Sequence, residues 1–110
     1  MAFTLNKVML IGNLGKDAET KTVNNTSITS FQVATTNSYK KNDEWVNDTT
    51  WHNIVLFNGS DFLKKNLKKG KKFFVDGRLS RREYTDKDKI KRYAVEIIAE
   101  QLIPLDETTK

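Results

Sequence analysis

Trp51 and Phe57 are the residues with the clearest chemistry to offer: two flat rings that could stack against other flat rings, such as unpaired bases. They bound the run Trp51-His52-Asn53-Ile54-Val55-Leu56-Phe57, which with Thr49 and Thr50 is rich in β-formers and free of proline and glycine. That composition predicts a strand over 49–57. Side chains alternate along a strand, so Trp51, Asn53, Val55 and Phe57 share one face and His52, Ile54 and Leu56 the other. At about 3.3 Å per residue the two rings stand roughly 20 Å apart, a spacing suited to stacking platforms on an exposed sheet. Burial of both faces, as in a sandwich core, accounts for the same letters, and buried aromatics are commoner than functional ones.

A second stretch adds charge to this chemistry. Over residues 71–84, Phe73, Val75, Gly77 and Leu79 fall on one face of an extended chain. Phe74, Asp76, Arg78, Ser80, Arg82 and Tyr84 fall on the other, interleaving rings with cations. Arg78, Arg82 and Lys7 are candidate phosphate contacts, and Tyr84 a candidate base contact. A solvated outer face with a cross-strand aromatic is the structural alternative. Trp45 lies in the polar stretch Lys40-Lys41-Asn42-Asp43-Glu44-Trp45-Val46-Asn47-Asp48, read as a loop. It either packs onto the base of that loop or meets a ligand.

Catalytic chemistry has little to build on. The chain has one histidine and no cysteine, so disulfides and thiolate metal sites are excluded. His52 sits in mid-strand, where histidine is more often packed, or at an interface, than catalytic. The acidic residues show no metal-ligand spacing and no glycine-rich phosphate loop is present, so neither enzyme activity nor a metal or cofactor is expected. A net charge of +5 over 110 residues favours an anionic partner. The absence of a long apolar run or a signal-peptide pattern predicts no membrane span and a soluble, cytoplasmic protein.

The elements that must position these residues read as follows. Residues 4–14 form a first strand whose Val8-Met9-Leu10-Ile11 run is apolar on both faces, the mark of a sheet interior or a subunit contact. Val8 and Leu10 are therefore candidate interface residues. Residues 17–26 make a polar hairpin arm turning at Asn24-Asn25. Residues 27–39 form the next strand, and strict alternation puts Tyr39 on the face of Phe31 unless a bulge reverses it. After the strand at 49–57, Ser60 caps a helix over 61–69 closed by Gly70, with Phe62, Leu63 and Leu67 as its apolar stripe. Its lysines at 64, 65, 68 and 69 suit a solvated face over a barrel end better than a binding patch. Strands at 71–84 and 91–103 follow, ended by Pro104. Five antiparallel strands with one helix between the third and fourth describe an all-β OB-fold barrel over residues 1–104, followed by a short polar tail at 105–110.

Three segments also carry a family resemblance. Asn6-Lys7-Val8-Met9-Leu10-Ile11-Gly12-Asn13-Leu14, Thr50-Trp51-His52-Asn53-Ile54-Val55-Leu56-Phe57, and Val75-Asp76-Gly77-Arg78-Leu79 with Arg82-Glu83-Tyr84-Thr85-Asp86 resemble, in order and spacing, segments of bacterial single-stranded DNA-binding proteins. The resemblance covers about residues 4–103. It implies an OB fold, a homotetramer, and sequence-tolerant binding of single-stranded DNA in replication, recombination and repair. It puts the stacking aromatics at Tyr39, Trp51, Phe57 and Tyr84, two of them positions where tryptophan is usual, and His52 at a subunit interface. Trp45 has no counterpart in it. The family's long linker and acidic C-terminal tip, which recruit replication and repair proteins, are not matched by Asp106-Glu107-Thr108-Thr109-Lys110. An OB-type interaction subunit of a replication or primosome complex is the reading from another class, and RNA binding would share the same stacking physics.

Overall fold

The computed structural model describes residues 3–105; apart from Leu105, the expected polar tail lies outside them. The strands are β1 (Val8–Leu14), β2 (Glu19–Val23), β3 (Thr26–Lys41), β4 (Glu44–Phe57), β5 (Lys72–Thr85) and β6 (Lys91–Pro104), with helix α1 (Asp61–Asn66) between β4 and β5. They form one sheet in the order β1-β5-β6-β4-β3-β2, and a further β1–β3 pairing closes it. β2 is the polar arm, paired to β3 alone and exposed throughout. The five remaining strands make the expected barrel. Its pairings are antiparallel except at one seam, where β4 and β6 run parallel through Ile54↔Ile97 and Val55↔Ile98.

Closure needs β1 to change partners. Val8 to Asn13 pair with β5, and Asn13 and Leu14 pair with β3. Gly12 stands at the change, where a Cβ would collide with the Ala34 carbonyl and the Val33 side chain, so only glycine lets the two backbones approach. The strand begins at Val8 rather than at residue 4. Ahead of it, the Asn6 side chain donates to the Leu79 carbonyl and accepts from the Leu79 N–H, at 2.7 and 2.9 Å, in place of a ladder rung.

The inner faces supply one core: Leu14, Phe31, Val33, Ile54, Leu56, Leu67, Phe73, Val75, Ile97, Ala99 and Leu102. Phe73 and Val75 are fully buried, as the alternation of β5 requires. The helix plugs one end. Ser60 caps it by accepting from the Leu63 N–H, and Leu67, at its C-terminal boundary, is 1% exposed. It is shorter than the expected 61–69 because the Leu67 carbonyl accepts from the Ala18 N–H and Asp17 accepts from the Lys69 N–H, drawing the chain off the helical path. Phe62 departs from the expected apolar stripe and faces solvent.

The largest correction concerns residues 40–48, expected as a loop. β3 and β4 stay paired without a register shift from Ile28↔Phe57 to Lys41↔Glu44, and Asn42 and Asp43 turn the chain with φ of 50° and 64°. Two consecutive residues at positive φ match the twist of a tight hairpin, and Asn and Asp tolerate that region. Asn24 and Asn25 build the β2–β3 turn in the same way, with φ of 48° and 65°. Trp45 is therefore a strand residue, 72% exposed, and not packed onto a loop base.

Candidate nucleic-acid interface

The outer face of β3 and β4 is built from cross-strand pairs: Ile28 beside Phe57, Ser30 beside Val55, Gln32 beside Asn53 and Ala34 beside Trp51. Trp51 is 51% exposed and Phe57 45%, while Val55 between them is 7% exposed. The rings thus stand at the two ends of a depression floored by Val55. Gln32 Nε2 donates to Asn53 Oδ1 at 2.9 Å, which fixes both amides flat on the floor and leaves each with one unused polar group.

The far wall comes from the β5–β6 hairpin. A groove of about 360 Å³ runs between it and the β3–β4 face, lined by Lys16, Gln32, Asn53, Val55, Arg82 and Glu96 among others. A second depression continues it past Lys21 to Phe57. Arg82 reaches Glu96 through Nε at 3.0 Å and stands 5.5 Å from the centre of the Tyr84 ring. Behind it, Arg81 lies 3.8 Å over Tyr93. The hairpin tip is tied by Asp86, whose carboxylate accepts from the Ile90 and Asp88 N–H groups and from Arg92. Those bonds, the Ile90 N–H first, hold the Asp86 carboxyl below the usual carboxylate range.

Trp51 owes its pose to a residue that alternation does not reveal. A Cβ on Gly15 would lie 2.5 Å from the indole ring, so the ring lies directly over the Gly15 backbone.

The other expected site residues divide. Tyr39 pairs with Val46 on the face of Phe31, so no bulge reverses it and it does not join Trp51 and Phe57. Trp45 does lie on their face, further out along β4. Lys7 and Arg78 are elsewhere, on the outer face of β1, β5 and β6. Lys7 bridges to Asp76 at 2.7 Å and Arg78 to Glu100 at 3.9 Å; the hydrogen bond to Asp76 raises the Lys7 pKa. Met9 and Ile11 project from that same face and are exposed, whereas Val8 and Leu10 pack against the core. His52 shares a 2.9 Å hydrogen bond with Thr35 Oγ1 and lines a small hollow with Trp51, Leu79 and Val95. Among the described residues no cluster of His, Cys, Asp or Glu could hold a metal ion, and no helix is long and apolar enough to cross a membrane.

A barrel with rings set along an open groove has known counterparts. The profile of the single-strand binding protein family matches residues 5–105. The chain belongs to this family. It is 39% identical over 103 residues to single-stranded DNA-binding protein 1 of Xylella fastidiosa, covering 90% of this chain and 76% of the relative. It is 37% identical over 102 residues to the single-stranded DNA-binding protein of Neisseria meningitidis, covering 59% of that protein. Among solved structures, the Plasmodium falciparum family member in complex with single-stranded DNA superimposes with a TM-score of 0.85 at 30% identity, covering 96% of this chain and 99% of that one. A deletion mutant of the single-stranded DNA-binding protein from Thermus aquaticus gives a TM-score of 0.78 at 27% identity, with 51% of that chain covered. Family membership thus rests on nearly the whole described barrel.

Proposed function

We propose that the chain binds single-stranded DNA without sequence preference, laying bases on Trp51, Phe57 and Tyr84 along the groove and phosphates against Arg82. The observation that carries this reading is the pair of half-exposed rings at the ends of the groove. Every base offers a flat face, so such platforms hold any sequence, but only where bases are unpaired. The two amides on the floor, each with a free donor or acceptor, suit base edges of any kind better than phosphates. The work so served is protection and organisation of single strands in replication, recombination and repair, in the cytoplasm and without catalysis.

The working form is a homotetramer. The row Ile11–Phe74–Ile103 runs across β1, β5 and β6 in register, and Ile11 and Ile103 remain exposed. One edge of β1 is unpaired over most of its length, since β3 meets it only at Asn13 and Leu14. An apolar face beside an open strand edge favours a second copy. The Val8–Leu10 backbone lies along that open edge. Lys7 and Arg78, which share the apolar face, support subunit contacts better than phosphate contacts.

Oligo-dT titration followed by tryptophan fluorescence tests the reading. Quenching is expected, with affinity falling with salt at a log–log slope of about −0.7 per phosphate neutralised. Duplex DNA bound as tightly as oligo-dT would contradict stacking. No fluorescence response to oligo-dT would favour an interaction subunit instead.

A further inference from the structure

The β5–β6 wall of the groove carries a relay of three side chains. Ser80 stands opposite Glu96, Arg82 opposite Ala94 and Tyr84 opposite Arg92, so Ser80, Arg82 and Tyr84 share one face of the hairpin with Glu96. Ser80 and Ala94 are short, which leaves the diagonal from Glu96 to Arg82 open. Glu96 Oε1 accepts from Arg82 Nε at 3.0 Å, and Oε2 accepts from Nη2 at 3.5 Å. The guanidinium carbon in turn stands 5.5 Å from the centre of the Tyr84 ring, within the range at which an aromatic face attracts a cation. Arg82 and Glu96 line both depressions of the groove.

A carboxylate in a groove that receives a polyanion opposes binding if it acts by charge alone. The geometry of the pair gives Glu96 another effect. Its side chain is 19% exposed and that of Arg82 is 58% exposed, so the acid is the anchored partner and the cation the presented one. The two bonds engage Nε and one hydrogen of Nη2. Both hydrogens of Nη1 and the second of Nη2 remain, and this edge is a fork that fits two oxygens of one phosphate. A guanidinium held in place beforehand also has less rotamer freedom to lose when the phosphate arrives.

We propose that Glu96 is a positioning residue for single-stranded DNA: it fixes the Arg82 guanidinium so that the free fork takes a phosphate while the same group supports the Tyr84 ring for a neighbouring base. The proposal rests on the groove reading above and deepens it, adding a residue that acts through Arg82 and not on the strand itself. The ligand is a phosphodiester with an unpaired base beside it, because fork and ring are set by one carboxylate and are met together. The net effect of this acid is therefore to tighten binding, although its charge matches that of the ligand.

The sign of the effect tests this. The parent, Arg82→Ala, Glu96→Ala, Glu96→Gln, Glu96→Asp and the double variant Arg82→Ala/Glu96→Ala are titrated with oligo-dT over a range of salt. Arg82→Ala weakens binding and lowers the log–log slope by about 0.7, the share of one phosphate on a single strand. Glu96→Ala weakens binding by about 2-fold to 5-fold, the span of an accessible ion pair. Glu96→Gln keeps an acceptor for Nε and recovers most of that loss. Glu96→Asp keeps the charge but stops one methylene short of Arg82, and it shows the same loss as Glu96→Ala, so the result stands on a second variant. In the Arg82→Ala background, Glu96→Ala adds nothing. Tighter binding by Glu96→Ala, with a steeper salt slope, overturns the proposal by making Glu96 a competitor for Arg82. Unchanged affinity overturns it and leaves the groove reading standing. An equal loss with and without Arg82 overturns it as well, since Glu96 then acts on the fold and not through the guanidinium. Failure of the parent to bind oligo-dT overturns the groove reading itself.

Discussion

On the outer face of β1, β5 and β6, Lys7 and Arg78 meet Asp76 and Glu100 beside Met9, Ile11 and Phe74. On the outer face of β3 and β4, Trp51 and Phe57 flank two hydrogen-bonded amides, with Arg82 held by Glu96 across the groove. Cations are paired with acids on both, so charge does not tell the faces apart. The apolar groups do. A continuous apolar row through Ile11, Phe74 and Ile103 suits another protein surface, whereas half-exposed rings separated by polar amides suit bases arriving one at a time. A basic strand is thus a weak guide to a nucleic-acid site until its neighbours are known.

Adjacent residues of β5 give the sharpest way to test that contrast. Phe73 is fully buried and Phe74 lies on the apolar outer face. Phe73→Ala is expected to cost about 3–5 kcal/mol of folding stability, enough to unfold much of a domain of this size. Phe74→Glu is expected to leave the subunit folded and split the assembly, read by light scattering and thermal melting together. An intact tetramer with Phe74→Glu would move the subunit contact off this face.

A smaller effect is expected at Gly15. Gly15→Ala places a methyl group where the Trp51 ring lies, so the ring must lift or turn. Oligo-dT affinity should fall by up to the 1–3 kcal/mol of one stacked base, with the oligomeric state unchanged. Unchanged affinity would show that the pose of the indole over Gly15 is not needed for binding.

The alternation of β4 could be read from its letters, because Ile54 and Leu56 demand a core on one side and leave Trp51, Asn53 and Phe57 on the other. The core of β5 and the Ser60 cap were equally legible. The side of Tyr39 was not: it hinged on whether a bulge interrupts the Thr35-Thr36-Asn37-Ser38 run, which composition does not decide. Trp45 was misplaced for a related reason. Asn42-Asp43 is a tight turn at positive φ, but the charged residues around it read as a loop. Lys7 and Arg78 show a further limit, since a strand pattern assigns a side chain to a face and not to the neighbours it meets there. The contact between Gly15 and Trp51 is wholly tertiary and leaves no mark in spacing.

The smallest expected effect is one of pH, at the β5–β6 tip. The Asp86 carboxyl is held below its ordinary value of 3.8, first by the Ile90 N–H. A depressed folded pKa contributes stability above the ordinary value, and that contribution is lost as pH falls through the depressed one. Acidification below about pH 4 should lower the exchange protection factors of the Asp88 and Ile90 amides before those of the paired strands around Trp51. Unchanged protection at those amides would remove Asp86 as the tie of the tip.

The most direct test of the groove is Trp51→Ala, measured for thermal midpoint and oligo-dT affinity on the same preparation, with Trp51→Phe beside it. Stacking at an exposed ring predicts a midpoint shift of a few degrees, roughly 5-fold to 150-fold weaker binding, and recovery of most of that loss by phenylalanine. A sharply lowered midpoint, with the folded fraction binding oligo-dT as the parent does, would make Trp51 a structural residue and contradict the assignment of the groove.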